Sequence, residues 1–545
     1  MTAAPAQAPP APFDVIVIGA GINGLGIARD AAERGLHVAL VEQEDLCFGV
    51  SAWSGRLVHG GLRYLEHGDV PLVRESLKER ERLFRLAPHL VKPVRLIMPF
   101  YSRNKRPSWL IRLGMLAYDV LSFDKSVAWH RILSASAVRE RFTGMSAAGL
   151  SGAALFTDGQ VEYAERLCVE LAIAAAGAGA VIRTHECVTG LVSEHGRVVG
   201  VRTQTRDGRE AELRASVVIN AAGPWVDRVN DVEGDGTEAA PRLIGGSKGS
   251  HIIVDAFPGA PTDVVYYESQ TDQRLVLVIP WMGRYLIGCT DRLFDQEPDA
   301  ARAEVDEIDY LLTEANTLMP EAKLTRDDIL FTYSGVRPLP YVPGVPEWKI
   351  PRSHIVVDHA KRGQPGLLSI VGGKLTTYRQ LAEDAVDDVM KLLGRRGGTV
   401  SKEVPLPGAR VADLGAFRAA FLRDASVDAD TAERLLDLYG VRAERVLEIA
   451  RREPALAERF DPESPAIAAE LVLAVEEEFA TTLADVFARR ILLAFEPGHG
   501  RGGVERAAEI LGERLGWDAA ERSAQIADYE RWLDHLRVPA AATAP

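Results

Sequence analysis

Cysteine is scarce in this chain. The four present, Cys47, Cys168, Cys187 and Cys289, form neither a CxxC pair nor a Cys/His cluster at metal-ligand spacing. That pattern excludes a disulfide scaffold, predicts no metal site, and fits buried thiols in a reducing compartment. Positive charge is in deficit as well: 63 Lys and Arg against 77 Asp and Glu leave a net charge of −14. Such a balance argues against general affinity for nucleic acid or anionic lipid, so any basic site must be local. Long apolar runs are missing too. The longest, LAIAAAGAGAVI at 171–182, falls short of the roughly 20 residues that span a bilayer. The opening MTAAPAQAPPAP has neither a basic nor an apolar leader region, so residues 1–12 read as a disordered arm rather than a signal peptide. No internal repeat and no long low-complexity tract is present.

What is present is a large globular composition. Apolar residues make up 47% and charged residues 26%, and 545 residues at roughly 150 per domain predict two to four domains. The run DVIVIG at 14–19 is short, apolar and β-branched, as a strand buried on both faces of a parallel sheet must be. It leads into Gly19-Ala20-Gly21-Ile22-Asn23-Gly24, then a helical pattern through Ile27, Ala28 and Ala31, then the strand HVALVE ending on Glu42. Strand, glycine turn, helix, strand and acidic residue within about 30 residues predict a dinucleotide site. The glycines admit a pyrophosphate to exposed amides at a helix start, and Glu42 accepts hydrogen bonds from a ribose. This motif alone leaves NAD and FAD both open.

Three later segments favour the flavin. Ser51 to Glu66 packs glycines, His59, Arg56 and Arg63 into a loop of small residues that lets backbone approach a flat ring. Val217 to Trp225 is a buried strand ending in small residues, and Leu368 to Arg379 reads as a strand, the diglycine Gly372-Gly373 and a helix start at Lys374. A helix start there would aim its amides at the reduced ring.

These residues carry a family resemblance. GAGINGLGIARDAAERG, RLVHGGLRYLE, NAAGPWV, GSHIIV, YSGVRPL and GGKLTTYR, in this order, resemble the FAD-dependent glycerol-3-phosphate dehydrogenases of the D-amino-acid-oxidase-like superfamily, from about residue 13 to the end. One departure stands out: Ser54-Gly55-Arg56 replaces the family's serine pair and lysine, with Trp53 just ahead. The resemblance implies an α/β fold: a discontinuous Rossmann-like FAD-binding domain at 13–79, 161–239 and 351–396, and an inserted antiparallel-sheet substrate domain at 80–160 and 240–350. A linker at 397–408 and an all-helical C-terminal domain at 409–545 complete the plan. The implied FAD contacts are Gly19, Gly21, Ile22, Asn23, Gly24, Glu42, Ser54, His59, Gly60, Gly61, Val188, Ala221, Gly223, Gly373, Lys374, Leu375 and Thr376.

Oxidising a phosphorylated secondary alcohol needs a proton acceptor, a two-electron acceptor and a cationic clamp, because a desolvated phosphate is costly unless paired. The expected clamp is Arg63, Tyr64, Arg337, Arg352 and Lys374. The expected proton acceptor is His251, at a glycine-rich turn entering a strand, with Arg337 sharing the role. The implied reaction converts sn-glycerol 3-phosphate to dihydroxyacetone phosphate and passes electrons to a quinone. An oxidase using oxygen, and an amine or amino-acid oxidase on the same fold, are the alternatives.

One basic and apolar segment stands apart. Tyr101 to Tyr118 joins Arg103, Lys105 and Arg106 to an amphipathic helix with Ser108 as its expected cap. Such a helix can lie in a bilayer interface, which would make the protein cytoplasmic and peripheral on the membrane's inner face, near its quinone; a core-facing helix is the alternative. Oligomeric state is not legible in the sequence, and a homodimer through the helical cap is one arrangement.

Overall fold

The computed structural model describes residues 12–231, 241–345, 350 and 353–540. Arg352 lies outside them, as does most of the arm expected at 1–12, and the side chain of Arg63 is likewise outside the described set.

Two sheets carry the fold. In the first, the apolar run becomes Phe13–Ile18 at the centre, flanked in parallel by Val38–Val41 and then Val181–Arg183 on one side, and by Glu210–Asn220 and then Leu367–Val371 on the other. Ile355–Asp358 closes the far edge antiparallel. Glu186–Glu194 and Arg197–Thr205 extend Glu210–Asn220 as an antiparallel flap. Val15, Ile16 and Val17 have no solvent exposure: Val15 and Val17 face the helix Ile22–Glu33, and Ile16 faces Val188, Leu191 and Val201 of the flap. Segments more than 300 residues apart in sequence therefore meet in one sheet, which is why the cofactor motifs are scattered along the chain.

The second sheet is mixed. Its order runs Arg292–Leu293, Ile244–Val254, Arg284–Gly288, Leu275–Trp281, Val264–Glu268, Val91–Tyr101, Leu150–Val161 and Leu57–Val58, with Ile329–Pro340 also on Ile244–Val254 and Arg131–Ser134 on Leu150–Val161. The expected antiparallel pattern has one exception: Val264–Glu268 pairs in parallel with Val91–Tyr101, because the chain leaves one half of the sheet and returns to join the other half edge to edge. Leu57–Val58, inside the segment assigned to the first domain, belongs to this sheet.

The glycine-rich stretch before His251 is not a turn. Ile244–Val254 is one continuous strand. Its glycines make room for neighbours, since a Cβ at Gly249 would overlap the Arg337 guanidinium and one at Gly246 would sit 2.6 Å from the Phe294 carbonyl.

The C-terminal helices, among them Ala429–Tyr439, Ala468–Glu477, Val504–Leu515 and Ala519–Trp532, share one apolar core with the first sheet. They are not a detached cap. Arg166 and Glu478, both without exposure, pair at 2.6 Å, and Arg490 holds Asp45 through bonds of 2.7 and 2.8 Å. Removing one partner of such a buried pair costs about 3–5 kcal/mol. Even the segment expected as a linker is tied down: Leu406 is fully buried and donates its amide to Leu86 at 2.8 Å, and Gly408 donates to Glu170 at 2.6 Å.

The helix Ser108–Leu121 begins at its expected cap: Pro107 is the N-cap, with no side-chain capping bond, and Ser108 is the first helical residue. No helix among the described residues is long and apolar enough to cross a membrane.

Candidate active site

A cavity of about 630 Å³ runs from the carboxyl ends of the first sheet's parallel strands to the face of the second sheet. Its first end is made of backbone. Gly19 takes φ +101°, and a Cβ there would sit 2.8 Å from the Ala221 carbonyl; one at Gly24 would overlap the Gly19 carbonyl outright. Gly24 thus packs the first helical turn onto the strand and does not itself line the cavity, whereas Gly19, Gly21, Ile22, Asn23, Ala221 and Gly223 do. Gly21 caps the helix Ile22–Glu33 in an extended conformation; the Ile22 amide donates to the Ser51 hydroxyl at 3.0 Å, which leaves Asn23 as the next first-turn residue at the cavity. Asn23 reaches the Gly372 carbonyl at 3.3 Å, and its Oδ1 is buried without a partner.

Glu42 closes this end. Its carboxylate accepts from the amides of Ala20 at 2.7 Å and Glu44 at 2.9 Å. Burial raises its pKa to about 7, against those two amides, which pull it down. Val188 lies beside it on the cavity wall with Glu186, whose partner is Arg183 at 2.9 Å.

The other end is cationic. Arg337, on Ile329–Pro340, sends Nη1 to Asp291 at 3.0 Å and to Ser247 at 3.4 Å, and Nη2 to the Cys289 sulfur at 2.8 Å. A guanidinium has five N–H donors, so Nε–H and one Nη2–H are left to meet a ligand. Lys374 stands 3.9 Å from the centre of the Tyr64 ring and 3.2 Å from the Ser76 hydroxyl. Ser54, His59, Tyr64, Gly373, Lys374, Leu375 and Thr376 all line this end, and no carboxylate among the described residues does. His59 takes the Gly61 amide on Nδ1 at 3.1 Å, and burial lowers its pKa. The imidazole is therefore neutral.

Several expected site residues are placed elsewhere. Gly60 is a packing residue: its amide donates to the Tyr118 hydroxyl at 2.8 Å, and a Cβ would overlap Leu77. Gly61 takes a left-handed φ of 74° at the start of the turn Leu62–His67. The helix expected at Lys374 starts at Tyr378, and the Gly372 amide is spent on the Pro338 carbonyl at 2.9 Å, so no helix N-terminus faces the cavity there. His251 is 3% exposed and does not line the cavity. It lies one layer behind, its ring 4.8 Å from that of Tyr333 and tilted by 41°, with Nε2 3.9 Å from where a Gly55 Cβ would be and Nδ1 without a partner. Burial first, then Arg337 and Arg56, lowers its pKa to about 3.

Sequence reasoning passed over Ser247, Cys289 and Asp291 as the groups that fix Arg337, and it noted Arg56 without assigning it a role: Arg56 binds Glu165 at 2.7 and 2.8 Å while its guanidinium lies 4.5 Å from the Trp281 ring. The one available signal was Gly288-Cys289-Thr290-Asp291, polar residues just past a strand end. Cys47 and Cys168 are buried as expected, but Cys187 and Cys289 are half-buried in the cavity wall.

The cradle at Gly19, the unpartnered Asn23 oxygen and a cavity continuous from Glu42 to Lys374 fit a dinucleotide with a flat ring at its far end. Comparison with known proteins agrees. Residues 14–379 match the FAD dependent oxidoreductase family, and 399–522 match the C-terminal domain of alpha-glycerophosphate oxidase. A glycerol-3-phosphate dehydrogenase of Synechocystis sp. is 43% identical, covering 97% of each chain, and a D-erythritol 1-phosphate dehydrogenase of Brucella abortus is 37% identical over 89% of this chain and 95% of that one. The crystal structure of a glycerol-3-phosphate dehydrogenase from Bacillus halodurans complexed with FAD superposes with a TM-score of 0.81 at 27% identity, covering 98% of this chain and 97% of that one. The chain belongs to the FAD-dependent oxidoreductases, in the family of the FAD-dependent glycerol-3-phosphate dehydrogenases.

Proposed function

We propose that this chain oxidises sn-glycerol 3-phosphate to dihydroxyacetone phosphate. The observation that carries the proposal is the polarity of the cavity: among the described residues, wall carboxylates lie only at the Glu42 end, with Arg228 beside them, and Arg337, Lys374 and a neutral His59 stand at the other. A small alcohol bearing a phosphate is the substrate such an end selects, since an amino acid needs one carboxylate clamp and no more. Bound FAD supplies the two-electron acceptor for hydride. Arg337 and Lys374 hold the phosphate, with Tyr64 backing Lys374; Arg63 and Arg352 complete the clamp in our reading. Asp291 and Cys289 keep the Arg337 fork aimed. His251 accepts the hydroxyl proton from beside Gly55, where no side chain intervenes. Its neutral state suits that task, and the negative charge arriving with substrate raises its basicity from the low resting value.

Electrons then pass to a membrane quinone. The support is the helix Ser108–Leu121, which buries Ile111, Met115 and Tyr118 and leaves Trp109, Leu113, Leu116 and Val120 outward at 50–65% exposure, next to Phe123 at 74%. An apolar stripe of that size on a surface marks a membrane or protein contact. Of the neighbouring cations, Arg106 is held by Glu268 at 2.5 Å, whereas Arg103 lies over the Tyr101 ring. The apolar stripe is therefore the main anchor. Replacing Trp109, Leu113 and Phe123 by Ser abolishes liposome flotation on this reading; flotation unchanged by the triple variant removes the membrane contact.

The deciding experiment for the substrate is anaerobic mixing of flavin-loaded protein with glycerol 3-phosphate, D-erythritol 1-phosphate, glycerol and an amino-acid panel, following loss of flavin absorbance. Bleaching by glycerol 3-phosphate at the lowest concentration supports the assignment. Bleaching by glycerol or an amino acid in preference to either phosphate overturns it.

A further inference from the structure

A second cavity, of about 640 Å³, lies where the C-terminal helices meet the first sheet. It shares Gln43, Phe48 and Cys187 as a common wall with the flavin cavity, and Arg489, Trp532 and His535 close it from the C-terminal side. Most of its charged groups are already paired. His185 and Asp485 meet at 3.0 Å, Asp45 is held by Arg490, and Asp528 takes both Arg206 and Arg531.

Glu44 and Arg489 are the exceptions, and Arg489 is the cation. It is 2% exposed, and Nη1 donates to the Ala488 carbonyl at 3.1 Å, but Nε and Nη2 have no hydrogen-bond partner. Its guanidinium lies 5.2 Å from the Trp53 ring and 5.4 Å from the Trp532 ring. The indoles offset part of the desolvation cost, yet they accept nothing from the edge of the fork. Both nitrogens are themselves buried, so an oxyanion meets them only as the guanidinium turns from the indoles toward the cavity, where its planar fork matches a carboxylate or phosphate in bidentate geometry. Beside it, Trp532 and His535 lie 5.6 Å apart with their rings tilted by 33°, and Phe48 is edge-on to His535 at 6.2 Å, forming an aromatic wall.

We propose that this second cavity binds a small organic oxyanion, its carboxylate or phosphate on Arg489 and its carbon skeleton against Phe48, Trp532 and His535. The site adjoins the cofactor. Trp53, which Arg489 braces, precedes Ser54 in the flavin cavity wall and donates its indole N–H to the Phe48 carbonyl at 3.0 Å. An anion that draws Arg489 away from Trp53 acts on the loop that holds the flavin, and FAD affinity then changes by the same factor as anion affinity.

The test uses FAD-loaded Arg337→Ala protein, in which one cation of the substrate clamp is removed and Lys374 remains, so that the second cavity is read as the part of anion binding that a further change at Arg489 or Gln204 removes. Inorganic phosphate and benzoate are titrated separately by calorimetry, which distinguishes a phosphate site from a carboxylate site on the same fork. Saturable binding of one of them with one site per chain is expected. Adding Arg489→Gln weakens it by about tenfold or more, as loss of a charge-assisted pair does. Should Arg489→Gln fail to fold, Gln204→Glu places a carboxylate on the exposed rim of the same cavity and is expected to weaken binding several-fold without touching the core. No binding of either probe to the Arg337→Ala protein, or binding unchanged by both added substitutions, overturns the proposal.

Discussion

The two ends of the flavin cavity are built by different means. At the Glu42 end the work is done by backbone: a left-handed Gly19, a Gly24 that touches the Gly19 carbonyl, amides at a helix start, and one carboxylate held by two further amides. At the Arg337 end it is done by long cationic side chains, each aimed by partners drawn from the second sheet or from helices beside it. Backbone geometry leaves no tolerance and gives no adjustable chemistry. Side chains can be removed one at a time with the scaffold left standing. Changes at the first end are therefore expected to cost the cofactor, and changes at the second to cost turnover.

The sharpest way to break that division is at the glycines. Gly24→Val forces a side chain into the Gly19 carbonyl and is expected to abolish flavin binding together with much of the fold, read as loss of flavin absorbance and of cooperative melting. Gly21 faces the cavity, and a Cβ added there would meet only the Ser51 hydroxyl, at 3.4 Å. Gly21→Val should therefore keep cooperative melting and still purify colourless. If both variants bind flavin, the backbone end does not hold the cofactor.

Next in size is Arg337. Arg337→Ala is expected to lower kcat/KM by about 10²–10³-fold with the flavin spectrum intact, the loss typical of removing one preorganised cationic donor. Asp291→Asn leaves the guanidinium in place but loosens its aim, and a loss of about tenfold is expected, mostly in kcat/KM, with rescue by Asp291→Glu where the longer arm still reaches. Flavin lost from either variant would erase the distinction between the ends.

His251 tests the same end from behind the wall. His251→Asn preserves size and removes the titratable ring; about a hundredfold loss in kcat with unchanged flavin content is expected if it accepts the proton. Full activity at all pH values would assign the role to a residue of the wall itself.

The two ends also differ in how much of them could be read from sequence. The glycine turn and Glu42 depend on spacing within 30 residues or so, and local spacing survives in the linear chain. Arg337 was visible through its strand motif, but Ser247 meets it only through the pairing of Ile244–Val254 with Ile329–Pro340, and Cys289 and Asp291 only because the strands on either side of them, Arg284–Gly288 and Arg292–Leu293, also pair with Ile244–Val254. The misread helix start at Lys374 has a plain cause. Gly372 and Gly373 both take left-handed φ, of 79° and 99°, so the chain turns twice before the helix can begin at Tyr378. His251 looked like a loop residue because glycines precede it; of these, Gly249 makes room for Arg337 and Gly246 for the Phe294 carbonyl. The C-terminal helices were legible as helices, but not as part of the first sheet's core, since Arg166–Glu478 and Arg490–Asp45 join residues hundreds of positions apart.

The smallest expected effect concerns pH, and it separates stability from turnover. His185 sits just beyond the Glu42 end, its amide on the Glu44 carbonyl at 2.8 Å and its ring on Asp485 of the C-terminal helices at 3.0 Å. Burial pulls its pKa down, but the Asp485 carboxylate, with Asp45 and Glu44 behind it, more than offsets this and raises it to about 9. A histidine whose folded pKa exceeds its unfolded value of about 6.5 gives stability that is complete below that value and is lost as pH rises through about 9. The pair should therefore contribute about 1–3 kcal/mol at pH 6 and little at pH 10, seen as a fall in Tm across that window that His185→Gln flattens. Because the pair lies outside the cavity's cationic end, kcat/KM for the phosphate substrate should follow the same pH profile in both proteins. A shift in the kinetic profile of His185→Gln would mean that the two ends are coupled and that the division between cofactor-holding backbone and reactive side chains does not stand.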